Sequence, residues 1–199
     1  MKAIGRLWPA MVVAVVLSGY FTWGEDAMAY EEPDYRVVAT YPEFEVRRYA
    51  PYVVAETSVE GPFTEVGNQA FRRLFAYISE DKRPQGKIAM TTPVIQQPTG
   101  KRYRFAFVMP SGSTIENLPD PESDEVTLKE VPVRTMAARR YSGTWSEERY
   151  RANEAVLLKA LKEEGLEAVG EPVFARYNAP FSLWFLRRNE VLIEVAAAD

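Results

Sequence analysis

Residues 60–94 read EGPFTEVGNQAFRRLFAYISEDKRPQGKIAMTTPV, a pattern of turn, amphipathic helix, basic loop and strand. The opening phrase, GPFTE at residues 61–65, returns as GTWSE at residues 143–147. Each copy precedes a helical pattern, and each helix is followed by a glycine that opens a strand, Gly86 and Gly170, at a nearly equal offset. Matched offsets between equivalent elements indicate one structural unit used twice.

The elements predicted around this stretch follow the same order in both halves of the chain. Alternating apolar and polar positions indicate half-buried strands, and three-to-four spacing of apolar residues indicates helices. The fold class predicted is α+β, in which two ββαββ units form a distorted antiparallel eight-stranded barrel with two packed helices. We predict strands at 44–49, 52–59, 87–94, 103–109, 126–131, 133–141, 172–178 and 184–195, with the first two joined as a hairpin and helices at 64–79 and 147–164.

Composition excludes several classes of protein. The 199 residues are 47% hydrophobic and 13% aromatic, enough for a core, so the composition argues against global disorder. The formal net charge of −4 argues against a nucleic-acid partner, which needs a basic face. The chain has neither cysteine nor histidine. Disulfides, Cys/His zinc sites and Ser-His or Cys-His catalytic pairs are therefore excluded.

The N-terminus has the pattern of an export signal. Lys2 and Arg6 precede an uncharged and mostly apolar segment at 7–23, and an Ala-Met-Ala cleavage site ends at Ala29. We predict cleavage there, so that the mature protein begins at Tyr30 and is periplasmic or secreted. The alternative is an uncleaved segment that anchors the protein in a membrane.

The domain boundaries follow from these patterns. An acidic, proline-containing segment at 111–125 joins the two halves and is expected to be a solvated loop. The predicted organisation is a signal peptide at 1–29, a linker at 30–40 and one domain at 41–195, with halves at 41–110 and 126–195.

The first predicted helix has a wider apolar face than packing on one sheet requires. Thr64 is expected to cap it, and Val66, Ala70, Leu74, Tyr77 and Ile78 form the stripe that faces the sheet. Phe71 and Phe75 lie to one side of this stripe. They either broaden the core face or line a cleft for a flat apolar ligand.

Several separated motifs resemble the SOUL/haem-binding protein family. They are KIAMTTPV at 87–94, FVMP at 107–110, YNAP at 177–180 and WFLRRNEVLIEV at 184–195. The resemblance covers residues 41–195. It implies a twofold pseudosymmetric barrel shared with bacterial effector-binding domains. It also implies binding of haem or another tetrapyrrole, with no catalytic reaction established across the family.

The family's proposed binding residues are only partly present. Members with an axial histidine carry it in the first strand, and the matching position here is Arg48, whose guanidinium does not ligate iron. Other members hold haem against the first helix by apolar contacts, at positions that match Phe71 and Phe75. Their basic positions match Asn68 and Ala76.

Other residues of this chain could complete a tetrapyrrole site. Arg72, Arg73 or Lys87 could pair with propionates in place of the missing basic residues. A tyrosinate at Tyr49 or the thioether of Met90 could ligate iron if any residue does. The ligand-binding set predicted is Asn68, Phe71, Arg72, Phe75 and Lys87, with no catalytic residue and no metal ligand.

The function predicted is a tetrapyrrole carrier or buffer that holds the ring by apolar contacts, without covalent attachment and without a histidine ligand. The alternative is a small-molecule effector-binding module of broad hydrophobic specificity, because the same fold builds a cleft. An enzyme is not expected, since no motif marks a carboxylate pair or a Ser-Lys arrangement. The expected partner is a small hydrophobic ring ligand bound by a monomer.

Overall fold

The computed structural model describes residues 30–80 and 86–196, and the predicted signal peptide lies outside them. Within these residues the chain forms nine strands and two α-helices. The elements are β1 at Tyr35–Thr40, β2 at Glu45–Tyr49, β3 at Tyr52–Glu60, α1 at Phe63–Ser79, β4 at Val94–Thr99, β5 at Arg102–Val108, β6 at Thr127–Val131, β7 at Arg134–Tyr141, α2 at Glu147–Glu163, β8 at Ala168–Arg176 and β9 at Asn189–Val195.

All strands belong to one antiparallel sheet with the order β1-β2-β7-β9-β8-β4-β5-β3-β6. Strands β2, β3, β4 and β5 of the first half correspond to β6, β7, β8 and β9 of the second. When each strand is exchanged for its counterpart, the order from β2 to β6 reads the same from either end. The pseudo-twofold axis therefore passes between the central strands, β4 and β8. The sheet curls into a half-barrel, so the predicted α+β fold of duplicated ββαββ units is confirmed. Its edge strands are β1 and β6.

The predicted hairpin between the first two strands is wrong. β2 pairs with β1 and β7, and β3 pairs with β5 and β6. The first strand of each half thus pairs with the second strand of the other half. Val53, Val54 and Ala55 are all buried, so β3 is covered on both faces and satisfies its backbone groups through two long ladders. Local alternation does not specify such distant partners.

Several other boundaries differ from those predicted. The strand predicted at 184–195 begins only at Asn189, because Trp184–Leu186 form a short 3-10 helix. The predicted linker at 30–40 contributes the ninth strand, β1, at one edge of the sheet. The strand predicted at 87–94 instead begins at Val94. Residues 86–90 form no strand, because the Ile88 N–H donates to the Ile78 carbonyl at the end of α1, 2.9 Å away, and this contact takes the place of a ladder.

The two helices begin in different ways. α1 starts after Pro62 without a side-chain cap, so the cap predicted at Thr64 is wrong. Its buried residues confirm the predicted stripe. In α2 the Ser146 hydroxyl accepts a hydrogen bond from the Arg149 N–H at 3.3 Å. Gly165 follows α2 with a φ of +70°, the left-handed conformation that commonly ends a helix.

The sheet carries apolar clusters on both faces. Because side chains alternate along a strand, Ala137 packs toward α2 while its neighbours Met136 and Ala138 pack on the opposite face. In the same way Val53 packs toward α1, and Val54 faces away from it. Both helices therefore lie on one face of the sheet, and a second core fills the other.

A buried carboxylate joins elements from distant parts of the chain. Glu190 on β9 is fully buried, and Arg47 of β2 donates to it at 2.7 Å. Arg188 Nε donates to it at 3.0 Å and the Tyr177 hydroxyl at 2.8 Å. Arg188 also pairs with Glu32 at 2.7 Å, which holds the segment before β1. Burial alone would raise the pKa of Glu190, but Arg47 and Arg188 hold it below its ordinary value.

Replacing Glu190 with Gln should lower the free energy of unfolding by about 3 kcal/mol at neutral pH. Arg47 would lose its buried counter-ion and keep only the partly exposed carboxylate of Glu45, 2.9 Å away. Equilibrium urea unfolding measures this difference. Since the native pKa of Glu190 lies below its ordinary value of 4.5, the ionised carboxylate stabilises the fold fully above that value. The difference between wild type and variant should shrink as pH falls through the lowered native pKa.

Glu194→Gln is the matched control, since Glu194 lies on the same strand and is exposed. It should change the free energy of unfolding by less than about 0.5 kcal/mol. Equal effects of the two substitutions would contradict a structural role for the buried carboxylate.

Candidate functional site

A groove of about 450 Å³ runs along α1 on the helix-bearing face of the sheet. The N-terminal half of α1 forms one side, and the segment after β8 forms the other. Phe105 and the residues that lead into β4 also line it. This volume lies within the range of small-molecule sites, roughly 300–1,000 Å³. The groove is therefore large enough for a flat ring ligand.

Phe71 and Phe75 form an open apolar wall of this groove. Their rings are stacked, with centroids 5.6 Å apart and planes 13° from parallel. Phe71 also meets Phe107 edge-on at 5.3 Å, which fixes its orientation. The two side chains remain 36% and 46% exposed. They are therefore available for contact with a ligand, and they are not sealed in the core.

The other predicted ligand-binding residues are divided between two places. Asn68 lines the groove one helical turn before Phe71. Arg72 and Lys87 are exposed and lie outside the groove lining. Successive helical residues differ by about 100° in direction, so Arg72 points away from the wall that Phe71 forms. Arg73 pairs with Glu125 at 2.5 Å, outside the groove.

The groove residues that are absent from the predicted set include three that can contact a ligand through a large aromatic or charged side chain. Phe63 and Trp145 are the aromatic residues of the repeated phrases GPFTE and GTWSE, and the fold brings both to the groove. Their equivalence in the repeat was visible in the sequence and is the signal that could have identified them. Arg176 at the end of β8 is the third, and no sequence pattern marks it.

Arg176 lies at the end of the groove where the two halves meet. Its guanidinium carbon lies 4.7 Å from the Phe174 ring centroid, 5.1 Å from that of Trp145 and 6.0 Å from that of Phe63. One terminal nitrogen donates to the Gln96 side-chain oxygen, while the buried Nε has no hydrogen-bond partner among the described residues. Burial lowers the pKa of Arg176 to about 10, so the side chain stays charged at neutral pH.

The residues considered as iron ligands lie in different places. Arg48, at the family's histidine position, is exposed on β2. Tyr49 is 3% exposed and packs in the core on the sheet face opposite the helices. Burial raises its pKa to about 12, which disfavours the tyrosinate. Met90 lines the groove. Only the methionine is therefore placed to reach a ring bound there.

Within residues 30–80 and 86–196, no three His, Cys, Asp or Glu side chains are grouped so as to hold a metal ion. In the same part, no helix is both long and apolar enough to cross a membrane.

Solved structures share this fold at low sequence identity. The C-terminal domain of EcmrR has a TM-score of 0.62 at 9% identity, over 82% of this chain and 99% of that one. A hydrolase from Listeria innocua has a TM-score of 0.58 at 14% identity, over 80% and 94%. SAV2435 bound to tetraphenylphosphonium has a TM-score of 0.50 at 7% identity, over 77% and 94%. At these identities the likeness shows the fold alone.

The comparison with family models assigns a protein family, whereas the comparison with solved structures shows only the fold. No curated protein matches the chain. The family model described as SOUL heme-binding protein matches residues 30–194, which include both halves of the sheet, both helices and the groove. The chain thus belongs to the SOUL heme-binding protein family.

Proposed function

We propose that the protein is a tetrapyrrole carrier or buffer that holds a haem or porphyrin ring in the groove beside α1. The observation that carries this proposal is the stacked pair Phe71 and Phe75, which stays exposed in a groove of about 450 Å³. Membership of a haem-binding family supports the choice of ligand. Apolar surface removed from water contributes about 2.5 kcal/mol per 100 Å², so a flat ring can bind without a bond to iron.

The groove lining favours binding over catalysis. Its polar side chains are those of Tyr30, Thr64, Asn68, Thr92, Trp145, Arg176 and Asn178, and none of the described lining residues is acidic. General acid–base hydrolysis needs a carboxylate, histidine or similar group positioned against the substrate. The composition of the lining is therefore that of a binding site, although one protein of this fold is described as a hydrolase.

A second candidate is an effector-binding module of broad hydrophobic specificity. The observation that favours it is the shared fold of SAV2435, whose structure contains the aromatic cation tetraphenylphosphonium. In this chain the groove contains the cation Arg176 and no described acidic lining residue. A cationic ring is therefore disfavoured here.

Export is part of the proposed function. Tyr30, the first residue after the predicted cleavage site, lines the groove. Cleavage after Ala29 would place the new α-amino group beside the ligand site. Intact-mass measurement of protein from the host's envelope fraction should give a chain that begins at Tyr30. A chain that retains residues 1–29 would contradict the cleaved signal and favour the membrane anchor.

Titration of the purified protein with haemin and with iron-free protoporphyrin IX should give comparable affinities. The physical reason is that the ring is held by apolar contacts and not by an axial ligand. Absorbance and tryptophan-fluorescence titrations measure both constants. Much tighter binding of haemin, with a sharp low-spin spectrum, would show that a side chain such as Met90 ligates the iron.

Phe71→Ala should weaken protoporphyrin binding about tenfold, which corresponds to about 1.4 kcal/mol of lost stacking and apolar contact. Phe185→Ala is the matched control, because Phe185 is 52% exposed and lies outside the groove lining. It should leave the affinity unchanged. A panel of lipophilic dyes separates the two candidates: an equal loss for dyes and porphyrin upon Phe71→Ala favours the broad module.

A further inference from the structure

We propose that Arg176 is the anion receptor of the groove, and that the ligand is a flat apolar ring that bears a carboxylate. The carboxylate would enter first, between α1 and β8, and the ring would follow against Phe71 and Phe75. This inference rests on the proposed function, because it names the chemistry of the ligand held in the same groove.

Arg176 differs from Arg47, Arg188 and Arg139 in having no acidic partner among the described residues. Arg47 pairs with Glu190 at 2.7 Å and Arg188 with Glu32 at 2.7 Å, and Arg139 pairs with Glu43. No carboxylate of the described residues forms a salt bridge with Arg176, and the positive charge of Arg187 contributes to lowering its pKa. Arg134 and Arg187 likewise form no salt bridge with a described carboxylate, but they donate to the Tyr52 hydroxyl and to backbone carbonyls. Of these three arginines only Arg176 lines the groove.

Among the remaining donors of Arg176, one nitrogen is buried and unpartnered and another adjoins the groove at Gly67. One terminal nitrogen is bound to Gln96, and Nε is buried without an acceptor. The other terminal nitrogen lies against α1 at Gly67, only 3.5 Å from where a Cβ would be. Gly67 lines the groove, so the absent side chain leaves the guanidinium open to it. A carboxylate can pair with such a planar donor group through two parallel hydrogen bonds.

The surroundings of Arg176 strengthen the preference for an anion. The rings of Phe174, Trp145 and Phe63 exclude water from the guanidinium, and a charge pair is stronger where water is excluded. The first turn of α1, which has no side-chain cap, also faces the groove through Phe63 and Thr64. The N-terminal end of a helix favours negative charge. Two independent sources of positive potential therefore meet at this end of the groove.

The test compares acids with their neutral esters in two ligand pairs, protoporphyrin IX with its dimethyl ester and 1-pyrenebutyrate with its methyl ester. The wild-type protein should bind each acid about ten- to hundredfold more tightly than its ester, as expected for a charge-assisted hydrogen-bonded pair. In Arg176→Met the acid should lose this advantage while the ester keeps its affinity. Fluorescence titration measures all four ligands, and thermal unfolding reports whether the variant is folded.

Arg140→Met is the matched control, because Arg140 lies exposed on β7 and away from the groove. It should preserve the acid preference. Because the acid–ester comparison on the wild-type protein needs no variant, equal binding of acid and ester would overturn the receptor even if Arg176→Met fails to fold.

The outcomes separate the two proposals. Equal binding of acids and esters by the wild type would overturn the anion receptor and leave ring binding intact. Failure of both porphyrins to bind, with an Arg176-dependent preference for pyrenebutyrate, would overturn the tetrapyrrole proposal and support the receptor. If Arg176→Met weakens acid and ester alike, Arg176 only packs between the rings and the receptor is overturned. Absence of binding by all four ligands overturns both.

Discussion

Neutralisation of the Glu190 carboxylate is the constraint on which the arrangement of this protein depends. Arg47 comes from the first half of the chain, while Arg188 and Tyr177 come from the second. A buried charge is tolerated only when its partners are held in place. Glu190 therefore fixes β2 and β9 on either side of β7 and ties the segment before β1 to them through Glu32. The groove lies between elements whose relative positions this network maintains.

Two inward-facing charged residues, Arg176 at the end of β8 and Glu190 at the start of β9, differ in their hydrogen-bond and ion-pair partners. Glu190 has its full set of donors, which makes it structural. Arg176 has aromatic rings and one amide around it but no carboxylate. Both lie where the halves of the chain meet. The role proposed for Arg176 rests on the absence of a described carboxylate partner, whereas Glu190 is paired within the chain.

The sequence predicted what depends on local pattern. The repeat, the apolar stripe of α1 and the order ββαββ all follow from spacing within single elements. The spacing left open whether Phe71 and Phe75 broaden the core or line a cleft, and the structure leaves both exposed. Strand partners did not follow, because alternation in β2 and β3 is equally compatible with a hairpin and with exchange between halves. Arg176 was missed for a related reason. Its importance lies in the lack of a nearby acid, which is a property of three-dimensional surroundings and not of a motif.

The exchange of strands has a consequence for the origin of this chain. β2 pairs with β7 and β3 with β6, so each half completes the sheet of the other. A single ββαββ unit alone would leave its first two strands without the partners that the other half supplies. Two identical copies related by a twofold axis would form both pairings. The ancestral state implied by this topology is an intertwined homodimer, and gene fusion through the segment at 111–125 would have converted it into one polypeptide. Fusion also freed the two copies to diverge, so that a cleft on the symmetry axis could acquire an arginine on one side only.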